Sequence, residues 1–407
     1  MTTQESRKRW TSFGIGLIWL LIILWPLLGI KPEGLEFAST FSVWIRLAVA
    51  GLCIMIVFEL NRAGIFDSVK KTGSSVKGVT QRAYAATPNW LLICVGLAFA
   101  IAFPAMTGRY GHDVACNVLI YVCLGLGLNI VVGLAGLLDL GYIAFYGVGA
   151  YTYALLSIHY GISFWLCLPV AGLLAAIAGC IIGYPTLRMR GDYLAIVTLG
   201  FGEIVRLILN NWMELTNGPN GLMGVKRPGL YWLDFANGWS IEHLWVKKVW
   251  MFYYVILFIA ICTIIAVYRL NYSRIGRAWE AIREDETAAE LMGVNTFLLK
   301  LLAYASGAVF AGFAGSFFAA RMRFVSPESF TFLESAMVLA MVVLGGMGSI
   351  PGVMLGALAL IALPEAFREF DTYRMLVFGG VMTLMMLVRP KGLWPAKRVG
   401  RRSEEAE

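Results

Sequence analysis

The chain has 407 residues, 59% hydrophobic and only 14% charged, with a net charge of +8 and a mean hydropathy of +0.73. Soluble globular proteins carry about 25% charged residues. A chain this long and this apolar cannot cover itself with polar surface, so the composition excludes an ordinary soluble domain and indicates a polytopic membrane protein.

The first apolar run, 11–30, is long enough to span a bilayer and lacks a cleavage site near its end, so it reads as a retained helix. Run 41–60 returns the chain to a basic loop, 61–88, so that residues 1–88 read as a two-helix N-terminal unit with its loop. Apolar runs follow at 89–106, 114–133, 135–157, 163–183, 193–212, 249–268 and 299–320, then a broken run at 335–364 and a last one at 374–388. No period-two alternation is present, so these are helices and not barrel strands. The expected fold class is an all-α membrane bundle of about twelve segments, with a core over 89–388.

Orientation follows from charge. The basic residues sit in clusters between apolar runs: Arg7, Lys8 and Arg9; Lys70, Lys71, Lys77 and Arg82; Arg269, Arg274 and Arg277; Lys397, Arg398, Arg401 and Arg402. Cytoplasmic loops retain Lys and Arg in this way, which accounts for the excess without nucleic acid. Both termini are then cytoplasmic, as are 269–298 and the tail 389–407, while 213–248 is an outer loop. An odd number of crossings must join 321 to 389. The break GGMGSIPG at 345–352 therefore reverses the chain and splits 335–364 into two short legs. The alternative is one kinked helix with the tail outside.

Chemistry is sparse. The seven cysteines lie in apolar runs without a CxxC pair, and the three histidines have no zinc spacing. There is no P-loop, GxSxG or HExxH motif, so the chain is expected to catalyse nothing and to bind no metal or cofactor. Two glycine-rich stretches stand out, 125–151 and 344–360. Small residues let helices approach closely in lipid. Gly/Pro-broken segments in both halves of a transporter also mark a translocation path. On that second reading the path is lined by Gly133, Gly136, Asp139, Gly141 and Phe145 with Gly345, Gly346, Gly348 and Pro351. Glu203 and Arg206 share a helix face at i, i+3 and form either a self-neutralising pair or part of the lining. The outer loop opens MELTNGPNGLMGVKRPG, whose turn chemistry suits a connector or a landing surface for an external partner.

The stretch 276–295, GRAWEAIREDETAAELMGVN, is a charged helix in an oily chain. Trp279, Ile282, Ala289 and Met292 fall near one face, and Gly293 can end the helix. Such a face suits a groove on another protein. Residues 287–293 resemble the EAA-type coupling motif of ABC importer permeases, with Thr287 in place of the leading Glu and without the downstream Ile-x-Leu-Pro. A narrower resemblance is to the M-type permease subunits of branched-chain amino acid ABC importers. It rests on GLLDLGYIAFYGVGAY (136–151), LRMRGDYLAIVTLGFGEI (187–204), TNGPNGLMG (216–224), the charged helix, VSPESFTFLES (325–335) and VVLGGMGSIPG (342–352), and it covers about 89–395.

The resemblance implies a bundle like that of the vitamin B12-type (type II) importers, with the extra N-terminal hairpin and its loop, residues 1–88, as an extension. It implies a homologous H-type permease as partner, two cytoplasmic ATPases that use ATP and magnesium, a periplasmic amino-acid-binding protein, and residence in the inner membrane among lipid. The substrates would be leucine, isoleucine and valine, with urea or short amides as the alternative within the family. A gradient-driven carrier, or a scaffold or sensor that transports nothing, is the reading from another class. Residues Arg277, Trp279, Glu280, Ile282, Ala288, Ala289, Met292 and Gly293 would couple to an ATPase. Asn217, Pro219, Asn220, Pro327 and Glu328 would receive the binding protein.

Overall fold

The computed structural model describes residues 98–366, except 99, 106, 190, 235–239 and 246–247, together with 379 and 392–394. All but Ala98 belong to the second of two units into which the chain divides, 99–407. The hairpin 11–60, the basic loop 61–88, most of the run 374–388 and most of the tail lie outside the described residues.

Helix α1 (Arg109–Leu128) passes without a break into a π-helical turn at Asn129–Leu134. Helix α2 follows at Ile143–Leu155, α3 at Phe164–Thr186 and α4 at Asp192–Asn211. After the short α5 (Met213–Thr216) come strands β1 (Leu222–Met223), β2 (Gly229–Asp234) and β3 (Ser240–Trp245). Helices α6 (Val249–Asn271), α7 (Arg274–Glu284), α8 (Glu286–Leu291) and α9 (Thr296–Met322) come next. Strand β4 (Phe324–Val325) leads to α10 (Phe332–Gly345) and α11 (Ile350–Ala366). Among the described residues six segments are long and apolar enough to cross a membrane: 109–134, 164–186, 193–211, 249–271, 296–322 and 327–345. The chain is a multi-pass membrane protein.

The segment 213–248 departs from the all-α expectation. β2 and β3 form an antiparallel hairpin, and β1 pairs antiparallel with β4, far along the chain.

Helix α9 is the axis of the bundle. On one side Gly172 of α3 lies against Phe313, and Gly179 and Gly183 lie against Tyr304. On the other, Gly149 of α2 meets Gly312, and Gly315 meets the carbonyl of Tyr146. A Cβ on Gly149, Gly312 or Gly315 would overlap the neighbouring backbone. These contacts supply dispersion energy where lipid removes the hydrophobic drive between helices. α1 is equally central: 67% of its most apolar window is covered by the chain, against 22% for α4, which therefore lies at the periphery.

Helix α2 begins inside the bundle. The apolar run at 135–157 predicts a helix from 135, but 135–142 is irregular and α2 starts only at Ile143. Gly136 turns the chain with φ of 73°. Asp139 then accepts the Gly141 N–H at 2.8 Å, and the Leu140 N–H donates to Thr198 at 3.1 Å. The Tyr142 hydroxyl reaches the carbonyl of Gly307, near the middle of α9, at 2.9 Å. The Ile143 N–H donates to Ser335 in the first turn of α10 at 3.0 Å. Irregular backbone at such depth persists because protein covers it and satisfies its polar groups.

The broken run reverses direction. Gly345 packs on Gly352, and Gly356 on the carbonyl of Met341, so α10 and α11 run antiparallel as two legs of a hairpin. Gly346 and Gly348, with φ of 116° and 85°, make the turn.

Candidate functional site

The charged stretch is two helices, not one. Ser273 caps α7 by accepting the Gly276 N–H at 3.1 Å. Asp285, at φ −153° and ψ 110°, ends α7 and caps α8, its carboxylate accepting from Thr287 at 2.9 Å and Ala288 at 3.0 Å. An aspartate two and three residues before free N–H groups competes with helix continuation, and the 276–295 pattern breaks there. Gly293, at φ 85°, closes α8 as its position predicts.

The sequence reading seats the apolar face of this stretch in a partner's groove. The structure turns most of that face inward. Trp279 is fully buried and its indole N–H donates to the Leu299 carbonyl of α9 at 2.7 Å; Ile282 and Ala289 are also buried. Lys300, itself buried in α9, holds Glu286 at 2.6 Å. These contacts fasten the helix pair to its own bundle. What remains outward is Leu291 and Met292, each 84% exposed, with Arg277, Glu280, Ala288 and Gly293. Single-face periodicity cannot distinguish a face turned to the chain's own body from one turned to a partner, which explains the difference.

The inner end of the pair touches the π-turn that ends α1. Arg283 Nη1 donates to the Gly133 carbonyl in the π-turn of α1, and the Arg283 stem packs on Gly136. One turn earlier, Asn129 Oδ1 accepts the Gly348 N–H at 2.8 Å. The N–H groups of Leu393 and Trp394 donate to the carbonyls of Leu344 and Gly345 at 2.9 and 3.0 Å. The start of the tail therefore lies at the same end of the bundle as the charged helices. Asn129 and Lys300 are absent from the sequence reading, and Arg283 figures there only as one charge among the many of 276–295, with no role of its own.

Of the residues read as a path lining, Gly133, Gly141, Phe145, Gly345, Gly346 and Gly348 are buried by this chain. Gly141 lies against the Thr198 carbonyl and Gly133 against Asn129 and the Gly348 nitrogen. The close-packing reading is the one the structure shows for them. Asp139 is buried too, with Oδ2 lacking a hydrogen-bond partner. Glu203 and Arg206 pair at 2.8 Å and stay about one-third exposed, while Gly136 and Pro351 are exposed.

At the opposite end, the two stretches read as a docking surface come together although more than a hundred residues separate them. The β1–β4 ribbon aligns Leu222 with Val325 and Met223 with Phe324. Leu222 and Val325 face inward; Met223 is 73% exposed. Asn217, in the left-handed region at φ 58°, donates to the Gly221 carbonyl at 2.9 Å and holds the turn Gly218–Asn220. Asn217, Pro219, Asn220 and Glu328 are exposed, whereas Pro327 is buried and serves the turn itself. A polar network went unread here. Arg321 grips Asp113 at 2.9 Å and Asn117 at 2.7 Å, and the Tyr121 hydroxyl donates to Glu334 at 2.5 Å. Asp113, Asn117 and Tyr121 stand at i, i+4 and i+8 on α1, a polar stripe that the periodicity of that run could have revealed.

A family model described as the permease component of the branched-chain amino acid transport system matches residues 112–387. The chain belongs to this permease family. It is 48% identical to "High-affinity branched-chain amino acid transport system permease protein LivM" of Escherichia coli K12, over 86% of this chain and 85% of that one. It is 26% identical to a probable LivM permease of Methanocaldococcus jannaschii, over 76% and 94% of the two chains. It is also 27% identical to the LivH permease of Escherichia coli K12, over 67% and 90%. No solved structure matches it. These relatives are named as permeases of a transport system, not as enzymes. Within the family match lie the helix that starts inside the bundle, the charged pair and the hairpin.

Proposed function

We propose that this permease subunit carries leucine, isoleucine and valine inward across the bacterial inner membrane, driven by ATP hydrolysed in partner subunits. It pairs with a homologous H-type permease, a reading supported by its own similarity to a LivH chain. Two ABC ATPases sit at the end that carries α7 and α8, which we take as cytoplasmic together with both termini. A periplasmic amino-acid-binding protein lands on the opposite end, at Asn217, Pro219, Asn220 and Glu328. The architecture is the type II bundle with the hairpin 11–60 added. ATP and magnesium belong to the ATPases.

The observation that carries this reading is the tip of the helix pair. Trp279 and Lys300 hold it rigidly to α9, yet Leu291 and Met292 project from it almost fully exposed. Apolar side chains held rigidly in the open at the end of a charged helix suit a groove in another protein. Glu203, Arg206, Gly136 and Pro351 are the residues retained as candidates for the passage. The test is uptake of radiolabelled leucine in cells carrying Leu291→Glu or Met292→Arg. Both variants are expected to insert normally and to lose uptake; full uptake in both would overturn the assignment.

A further inference from the structure

The charged helix pair and the α10–α11 hairpin are separate in sequence, but a short chain of contacts joins them. Arg283 closes on the carbonyl of Gly133. Gly133 lies in the π-turn that ends α1, and a Cβ there would overlap Asn129 and the Gly348 nitrogen. Asn129, one turn back, holds the hairpin turn through the Gly348 N–H at 2.8 Å. The hairpin turn in turn holds the tail through the Leu344 and Gly345 carbonyls. Gly136, whose φ of 73° an L side chain rarely adopts, gives Arg283 room to pass.

Two features set this contact apart from an ordinary buried one. A π-turn is a helix end that has not taken the regular hydrogen-bond register, and such turns recur at functional sites. Asn129 Nδ2 is also buried without a hydrogen-bond partner. An unsatisfied buried donor is costly, and a shift of the hairpin would let it find an acceptor. A second arrangement of this element is what coupling between distant parts would require.

We propose that Arg283 is the positioning residue that passes movement of the α7–α8 pair to the α10–α11 hairpin, through the π-turn of α1 and the side chain of Asn129. The proposal rests on the reading of α7–α8 as the ATPase contact. When the pair shifts, the guanidinium pulls on the Gly133 carbonyl, the π-turn changes register, and Asn129 releases or re-grips Gly348. The hairpin legs, packed glycine on glycine, then slide as a unit. The exposed tip binds the ATPase; Arg283 transmits what the ATPase does.

The test uses the whole complex in proteoliposomes, with leucine-loaded binding protein outside and ATP inside. The readout is leucine taken up per ATP hydrolysed. In Arg283→Ala this ratio should fall about twofold to thirtyfold, the range for a single mutation in a coupled network. Arg283→Lys, which keeps the charge but loses the planar fork, should recover part of it. Asn129→Ser acts at the other end of the same chain and decides the matter if Arg283→Ala fails to insert. The double variant should lose no more than the worse single one. Equal loss of uptake and ATP hydrolysis, an unchanged ratio, or additive losses would overturn the proposal. Absence of ATP-driven uptake in the unaltered complex would instead refute the importer reading on which it stands.

Discussion

The indole N–H of Trp279 donates to the Leu299 carbonyl across 2.7 Å, and the ring around it is fully buried. This one residue ties α7 to the base of α9, so the charged pair moves with the bundle's axis and not as a loose loop. Trp279→Ala should cost about 3–5 kcal/mol through the cavity it leaves. Trp279→Phe should cost less, since part of the packing remains. The melting temperature of the detergent-solubilised chain, with its membrane abundance, checks both; a neutral Trp279→Ala would mean the pair is not anchored there.

Leu291 and Met292 should behave in the opposite way. At 84% exposure each makes little contact with its own chain, so charge substitutions there should leave the stability within about 0.5 kcal/mol of wild type. They should instead strip the ATPases from the complex during purification. Retention of the ATPases in Leu291→Glu and Met292→Arg would place the partner contact elsewhere.

The glycines separate into two classes that substitution can tell apart. A Cβ on Gly141 would strike the Thr198 carbonyl, whereas one on Gly200 meets nothing within 4 Å. Gly141→Ala should therefore destabilise by about 1–3 kcal/mol through overpacking. Gly200→Ala, in mid-helix, should stabilise by about 0.5–1 kcal/mol. Thermal unfolding followed on both variants tests the contrast, and equal effects would contradict the packing described for α2 and α4.

Arg321 is the hub of the outer network, its side chain only 10% exposed, with Asp113 at 47%. Removing it in Arg321→Ala should cost about 1–2 kcal/mol, since the half-exposed Asp113 retains some solvation. Arg321→Lys should recover little, because a single ammonium cannot reach both Asp113 and Asn117 with the fork geometry. Full recovery by Lys would reduce the site to simple charge pairing.

The long membrane helices were legible because lipid imposes one rule on every residue in them. The runs at 163–183, 249–268 and 299–320 correspond to α3, α6 and α9 with ends shifted by a few residues. The chain reversal near Gly346 was legible for a different reason: a basic tail on the cytoplasmic side needs an odd number of crossings after 321, which favours a hairpin over one kinked helix. What the sequence concealed was direction. Trp279, Ile282 and Ala289 fall on one face whether that face meets α9 or a partner, and only the position of Leu299 and Lys300 decides between them. The irregular start of α2 was hidden because Leu137, Leu138 and Leu140 are as apolar as any helix; the turn is made by the backbone at Gly136 and by one carboxylate oxygen of Asp139. The pairing of Leu222 with Val325 is non-local, and no local pattern announces it.

The most direct measurement is leucine uptake into sealed proteoliposomes that contain the complete complex, compared with those containing this chain alone. The account predicts uptake only in the complete complex, only with binding protein on the face that carries Asn217 and Glu328 and ATP on the face that carries Met292. Uptake by the chain alone under a proton or sodium gradient, without ATP, would contradict it.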